Sequence, residues 1–170
     1  MKTVFLSGSR QLSRLSDTIK TRINNMIEQN FLILVGDANG ADRAMQQYLT
    51  DTRYSNVKVF CAGEACRNNV GNWDVTQVYV DPKLKGRDFY TAKDKEMAVK
   101  ADYGFVLWDG KSSGAINNIF ELLKHDKKTV LYFSPEKEFY TISHLNDAQA
   151  LLKKCDPTAV DSIRKKNQTS

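Results

Sequence analysis

Three short stretches hold the residue types that handle phosphate: Gly8-Ser9-Arg10, Gly36-Asp37-Ala38-Asn39-Gly40 and Asp109-Gly110-Lys111-Ser112-Ser113-Gly114. Glycines let a backbone come close to a ligand, and backbone amides with small hydroxyls donate to anionic oxygens. Arg10 adds a planar fork and Lys111 a compact point charge. Asp37 and Asp109 are placed to accept hydrogen bonds from ribose hydroxyls. This set suits a nucleotide or another phosphorylated ribose compound better than a neutral metabolite. Two common nucleotide signatures are absent. No Gly-x-Gly-x-x-Gly follows the first strand-like run, and no Gly-x4-Gly-Lys-Ser/Thr occurs, which sets aside dinucleotide dehydrogenases and P-loop NTPases.

No metal or cofactor is called for. Cys61, Cys66 and Cys155 are odd in number, and with His125 and His144 they form no zinc-ligand spacing, so each cysteine is expected as a buried thiol. His125 falls near a helix end and His144 in the C-terminal extension, both read as surface or packing residues.

Each phosphate-type stretch follows an apolar run and precedes a helical pattern. Thr3–Ser7, Phe31–Val35, Val57–Cys61, Tyr103–Leu107 and Thr129–Phe133 read as strands, with a short strand possible at Gln77–Val80. Helical faces recur at Ile19, Ile23, Met26 and Ile27, capped by Ser16 or Asp17, and at Ala41, Ala44, Met45, Tyr48 and Leu49, with Asn39 as cap and Asp42 in the first turn. Tyr90–Lys100 is a helix capped by Thr91, and Ile116, Ile119, Phe120 and Leu123 mark another. After Pro135 the pattern is helical through Leu145, Ala148 and Leu152, and Pro157 starts a final helix. Strands alternating with helices predict an α/β fold: a single Rossmann-like, doubly wound parallel sheet over residues 1–135, with a C-terminal helical extension over 136–170 ending in a frayed basic tail. In such a sheet the three loops converge at the carboxyl ends of the strands, where open α/β sheets bind ligands.

Residues 63–88 are rich in Asn, Gly and charge and read as a long loop. Its Arg67, Asn68, Asn69, Trp73 and Arg87 can reach over a ligand, or Trp73 can pin the loop to the body. The chain of 170 residues is 41% hydrophobic and 26% charged, enough for one self-sufficient core. Of its net charge of +5, +3 falls from Leu151 onward, so the body is only mildly basic and the tail reads as a solvated end. Met1-Lys2-Thr3 runs directly into Val4-Phe5-Leu6, and no apolar stretch reaches membrane-spanning length, so a soluble, cytoplasmic protein is expected.

Together Gly8-Ser9-Arg10, Val35 through Asp42, Lys93-Asp94 with Met97, Ala101-Asp102 and Trp108 through Gly114 resemble the YspA-like branch of the SLOG superfamily, over about residues 2 to 133. Relatives there include cytokinin-activating phosphoribohydrolases, nucleoside deoxyribosyltransferases and the DNA-processing protein DprA. The resemblance implies a Rossmann-like sheet and a site for nucleotides or nucleotide-derived signals, formed here by Gly8, Ser9, Arg10, Gly36, Asp37, Gly40, Asp42, Trp108, Asp109, Gly110, Lys111, Ser112, Ser113 and Gly114. The phosphoribohydrolases carry Gly-Gly-x-Gly-Thr-x-x-Glu, whose glutamate assists N-glycosidic cleavage. Here Asn118 stands at that position, and an amide cannot act as a general acid or base. Glu121 lies one turn further along, roughly 5 Å away.

Three functions follow from this reading. The first is binding of a nucleotide or nucleotide-derived small molecule. The second is hydrolysis or transfer at a nucleotide N-glycosidic bond, with Asp37, Asp94, Asp109 and Glu121 as candidate acids. The third is single-stranded nucleic-acid binding of the DprA kind, with Trp73 and Tyr90 available to stack bases. A homodimer is expected from the habits of the relatives.

Overall fold

The computed structural model describes residues 2–168, with the side chains of Arg87 and of residues 166–168 outside the description. The expected reach of Arg87 over a ligand, and Lys166 of the basic tail, therefore lie outside the described residues.

Seven strands, β1 (Thr3–Gly8), β2 (Leu32–Gly36), β3 (Val57–Ala62), β4 (Asp74–Val78), β5 (Tyr103–Trp108), β6 (Thr129–Phe133) and β7 (Glu138–Ile142), form one sheet in the order β4-β3-β2-β1-β5-β6-β7. All neighbouring pairs are parallel except β6 with β7. The central strands are apolar runs because both of their faces are covered. Val4, Leu6, Ile33, Val35 and Val59 pack under α1 (Asp17–Glu28) and α2 (Ala41–Asp51). Phe5, Leu34 and Phe60 point the opposite way, against Met97 and Ala98 of α3 (Arg87–Lys100) and Leu122 of α4 (Ser113–Lys124). Val106, Trp108, Leu131 and Phe133 pack on α4, α5 (Leu145–Leu152) and α6 (Pro157–Gln168). Burying each such large side chain contributes about 1.5–3 kcal/mol.

The chain is thus an α/β protein with a Rossmann-like sheet and C-terminal helices. Strand order reverses between β1 and β5, which are hydrogen-bonded neighbours although separated by more than half of the chain. A crevice opens outside the carboxyl ends of strands at such a switch point.

Several local expectations change. Residues after Pro135 form β7 rather than helix: a turn closed by Glu136 and Lys137 amides on Phe133 and Ser134 carbonyls sends the chain back antiparallel to β6. The sheet therefore continues beyond residue 135. β4 begins at Asp74, not Gln77, and α3 begins at Arg87 rather than Tyr90, with Gly86 instead of Thr91 as its cap. Ser16 caps α1, accepting from the Ile19 amide at 3.4 Å. The cap of α2 is Gly40 instead of Asn39. Gly40 has φ of +79°, and a β-carbon there would sit 2.2 Å from the Arg10 carbonyl oxygen, so the crossing of the two loops requires glycine. Cys61 and Cys66 are joined in a disulfide, not held as thiols; the chain reverses after β3 and brings their Cα atoms to 5.2 Å. Cys155 is a half-buried thiol. The basic C-terminal segment is helical as α6, with Val160 and Ile163 buried.

Candidate functional site

Ser9 ties the three loops together at the switch point. Its amide donates to the Leu107 carbonyl at 2.9 Å, its hydroxyl oxygen accepts from the Asp109 amide at 3.1 Å, and its carbonyl accepts from the Ala41 amide at 3.2 Å. The third loop is braced from both sides. Asp109 Oδ1 accepts from the Lys111 amide, the Ser112 amide and the Ser112 hydroxyl at 2.8–3.0 Å. Burial alone would raise the Asp109 pKa, but these donors and Ser9 outweigh it and hold the carboxyl below its usual range. Beneath the loop, fully buried Trp108 donates its indole N–H to the Ser112 carbonyl at 2.9 Å. With the Ser112 hydroxyl turned to Asp109, no side chain caps α4, whose first turn opens into a cleft of about 480 Å³.

Gly8, Ser9, Arg10, Asp42, Lys111, Ser112, Ser113 and Gly114 line that cleft, as does Asn118. Gly36, Asp37, Gly40, Trp108, Asp109 and Gly110 do not; they shape the loops from behind. Asp37 faces the loop after β3 rather than a ligand. Its two oxygens accept from the Arg67 amide and guanidinium, each at 2.8 Å. Burial opposes ionisation of Asp37, yet Arg67 prevails and lowers its pKa. The same loop is fastened by Asn68, which donates to the Asp37 carbonyl and to Asn39, and by buried Gln46, which bridges Gly36, Asn68 and Val70. Arg67 lies 3.8 Å from the centre of the Tyr90 ring, and both line the cleft. Trp73 instead donates to the Tyr54 carbonyl near the opposite end of β3, so it pins the loop to the body.

The cleft floor holds a charged cluster whose members come from two separate helices. Lys93 on α3 is 3% exposed and pairs with Asp94 at 2.8 Å. Asp42 on α2 lies against them, its Oδ2 accepting from the Ala38 amide at 3.2 Å. Desolvation raises the Asp42 pKa to about 6 despite the attraction of Lys93, with Asp94 and Asp37 adding to the rise. For Lys93, burial pulls the other way but Asp94 and Asp42 overcome it, leaving its pKa raised. Gly36 makes room: a β-carbon there would meet Asp42 Oδ2 at 2.6 Å and Lys93 Nζ at 2.8 Å. Gly36→Ala is expected to destabilise the protein by about 2 kcal/mol through this overlap. Urea unfolding is the check, and a loss below about 0.5 kcal/mol, the usual size for an uninvolved position, would show that the cluster yields freely.

Asn118, 4% exposed, completes the floor. Its Nδ2 donates to the Ser7 hydroxyl at 2.6 Å, while its Oδ1 has no partner among the described residues. Glu121 is buried and paired with Lys124 at 3.0 Å, outside the cleft lining. His125 ends α4 and His144 caps α5. Asp37 and the two sulfurs of Cys61 and Cys66 lie within 4.8 Å of one another, but the sulfurs are bonded to each other and Asp37 is taken by Arg67, so this state offers no metal ligands. Lys93, Asn118 and Ser7 lie outside the three loops: Lys93-Asp94 belongs to the motif set of the resemblance and Asn118 stands at the glutamate position, whereas Ser7 reads only as a strand residue.

The fold and crevice define a Rossmann-like α/β protein with a cationic cleft at its switch point. No family model matches the chain, and no curated protein matches it. Among solved structures it is similar to DNA processing protein A from Helicobacter pylori, described for its single-stranded DNA binding mode, at 14% identity with a TM-score of 0.60. The match covers 99% of this chain and 81% of that one, and it shows the shared fold. No helix of the described residues is long and apolar enough to cross a membrane.

Proposed function

We propose that the cleft binds a nucleotide or a nucleotide-derived phosphorylated ribose compound, as expected for the YspA-like branch of the SLOG superfamily. The carrying observation is the orphaned Oδ1 of Asn118, buried in the cleft behind the uncapped start of α4. A buried acceptor without a donor costs about 1–3 kcal/mol, and a ligand hydroxyl or amine relieves it. Four basic side chains, Arg10, Arg67, Lys93 and Lys111, and two carboxyls, Asp42 and Asp94, line the cleft, so an anion is favoured. The first turn of α4 supplies amides for a phosphate, and Arg10 and Lys111 close over it. The Arg67–Tyr90 wall offers a flat face for a base.

The test is thermal unfolding with nucleoside monophosphates, ADP-ribose, NAD and cyclic nucleotides. A ligand at a hundred times its Kd adds about 2.7 kcal/mol and raises the midpoint by several degrees. Arg10 and Lys111 are exposed. Arg10→Ala and Lys111→Ala are therefore expected to weaken binding about tenfold each, the loss of one charge-assisted contact, with the unfolding midpoint of the free protein unchanged. Asn118→Ala is expected to weaken binding too. Unaltered affinity in all three variants would remove the assignment.

A second reading, single-stranded DNA binding, is favoured by the likeness to DNA processing protein A and by Tyr90 beside Arg67. It requires affinity that falls steeply with salt. Turnover of a bound nucleotide would fall to Asp42 and Asp94, the carboxyls in the cleft, rather than to Asp37, Asp109 or Glu121. Release of free base from the panel is its measure.

A further inference from the structure

Cys61, next to last in β3, is fully buried, and Cys66, half-buried, lies five residues on across the disulfide. The very next residue is Arg67. Its amide and guanidinium occupy both Asp37 oxygens, its guanidinium stacks on Tyr90, and its side chain forms part of the cleft wall. The Asp37 carboxylate is itself within 4.8 Å of both sulfurs. Disulfide, carboxylate, guanidinium and cleft wall are therefore one contiguous cluster. Other ties of this loop are hydrogen bonds of Asn68 to Asp37 and Asn39, of Gln46 to Asn68 and Val70, of Gln77 to Glu64 and of Trp73 to Tyr54.

We propose that the Cys61–Cys66 disulfide is a thiol-exchange site that holds Arg67 at Asp37 and thereby sets the cleft wall, so that its reduction loosens the wall and weakens ligand binding. The effect on the ligand rests on the nucleotide reading above; the effect on the loop does not. The reductant is a dithiol. Its thiolate attacks Cys66 Sγ, the more accessible sulfur. The electron pair of the S–S bond leaves on Cys61 Sγ, which takes a proton. The second thiolate of the reductant then attacks the mixed disulfide, forming its own cyclic disulfide and releasing Cys66 Sγ to be protonated. Two electrons and two protons enter the protein, and glutathione disulfide reverses the change.

A short covalent loop restricts the open states available to the segment it closes. The full chain is compared in three forms: oxidised with glutathione disulfide, reduced with dithiothreitol, and as the Cys61→Ser/Cys66→Ser double variant. Amide hydrogen exchange over residues 64–73 is expected to speed up by about tenfold in the second and third forms, with α1 unchanged, as local opening becomes easier. The affinity for AMP is expected to fall by a similar factor, as Arg67 is freed from its place in the wall. Equal exchange in all three forms would overturn the switch, and faster exchange with unaltered AMP affinity would overturn its link to the cleft. Failure of AMP to bind the oxidised protein would count against the nucleotide reading, while the exchange rates would still decide the role of the disulfide.

Discussion

Replacing Lys93 with methionine is expected to cost the protein about 3–5 kcal/mol at pH 7, because it leaves the buried Asp42 and the half-buried Asp94 without their cation. Lys93 is 3% exposed and is the positive charge common to Asp94 and Asp42, while Asp37 has Arg67 of its own. Methionine fills much of the volume of the lysine stem, so the loss reports on charge. For a chain of this length, each 1 kcal/mol shifts the midpoint by roughly 2–4 °C, placing the expected drop at about 10 °C. Acid should restore part of it, since Asp42, whose pKa is already raised by burial, can take up a proton once the cation is gone. The contrasting case is Lys100→Met, which breaks an exposed pair with Glu96 at 3.4 Å and should cost under about 1 kcal/mol. Urea unfolding of both variants at pH 7 and pH 5 makes the comparison. Equal losses for the two lysines would mean that the buried cluster contributes no more than a surface pair.

Asp42→Asn is expected to remove a pH dependence in the wild-type protein whose sign is unusual for a carboxyl. The Asp42 pKa is raised from 3.8 to about 6 by burial, so between those values the folded state binds its proton and the unfolded chain does not. The unfolded state binds fewer protons there, so stability falls as pH rises through the window, by roughly 3 kcal/mol for a shift of this size. Asp37 and Asp109 act in the ordinary sense: their pKa values are lowered, and their contribution is present above the unfolded value and lost as pH drops below it. The wild-type protein should therefore be most stable on the acid side of neutrality. In Asp42→Asn, where the amide oxygen can still accept from Ala38 and Lys93 keeps Asp94, the decline between pH 4 and pH 7 should flatten. Denaturant titrations across that range measure it directly. Wild-type stability that rises from pH 5 to pH 7 would show that Asp42 is ionised throughout.

Much of the architecture was legible because the strands that matter are covered on both faces. Leu32–Gly36 and Tyr103–Trp108 read as unbroken apolar runs for that reason, and the glycine-bearing loops after them announce the carboxyl edge. Strand β7 was not legible. It lies at the antiparallel edge with Glu138 and Thr141 exposed, and the leucines and alanine that follow it drew the reading toward helix. At the site, loop chemistry marked the edge of the sheet where the cleft opens but not which polar groups line it. Asp37 and Asp109 are at the expected strand ends, yet Asp37 spends both oxygens on Arg67 and Asp109 spends Oδ1 on Lys111 and Ser112. The partners of Asp42 come from a helix some fifty residues later, and no local pattern couples them. The disulfide depended in the same way on a chain reversal that spacing alone does not specify.

The bond from the Asp109 amide to the Ser9 hydroxyl spans 100 residues of sequence. Strands β1 to β4 are consecutive neighbours, so half of the sheet is assembled from connections between adjacent segments, whereas β5 must return across the chain to join β1. Closing so long a loop is entropically costly, and contacts of this range make folding slow. The cleft takes Ser7 through Arg10 and Asp42 from the early half and Lys93, Lys111 and Asn118 from the late half. It therefore does not exist in any folding species that has formed only the first four strands, and a ligand of the cleft recognises the finished chain alone.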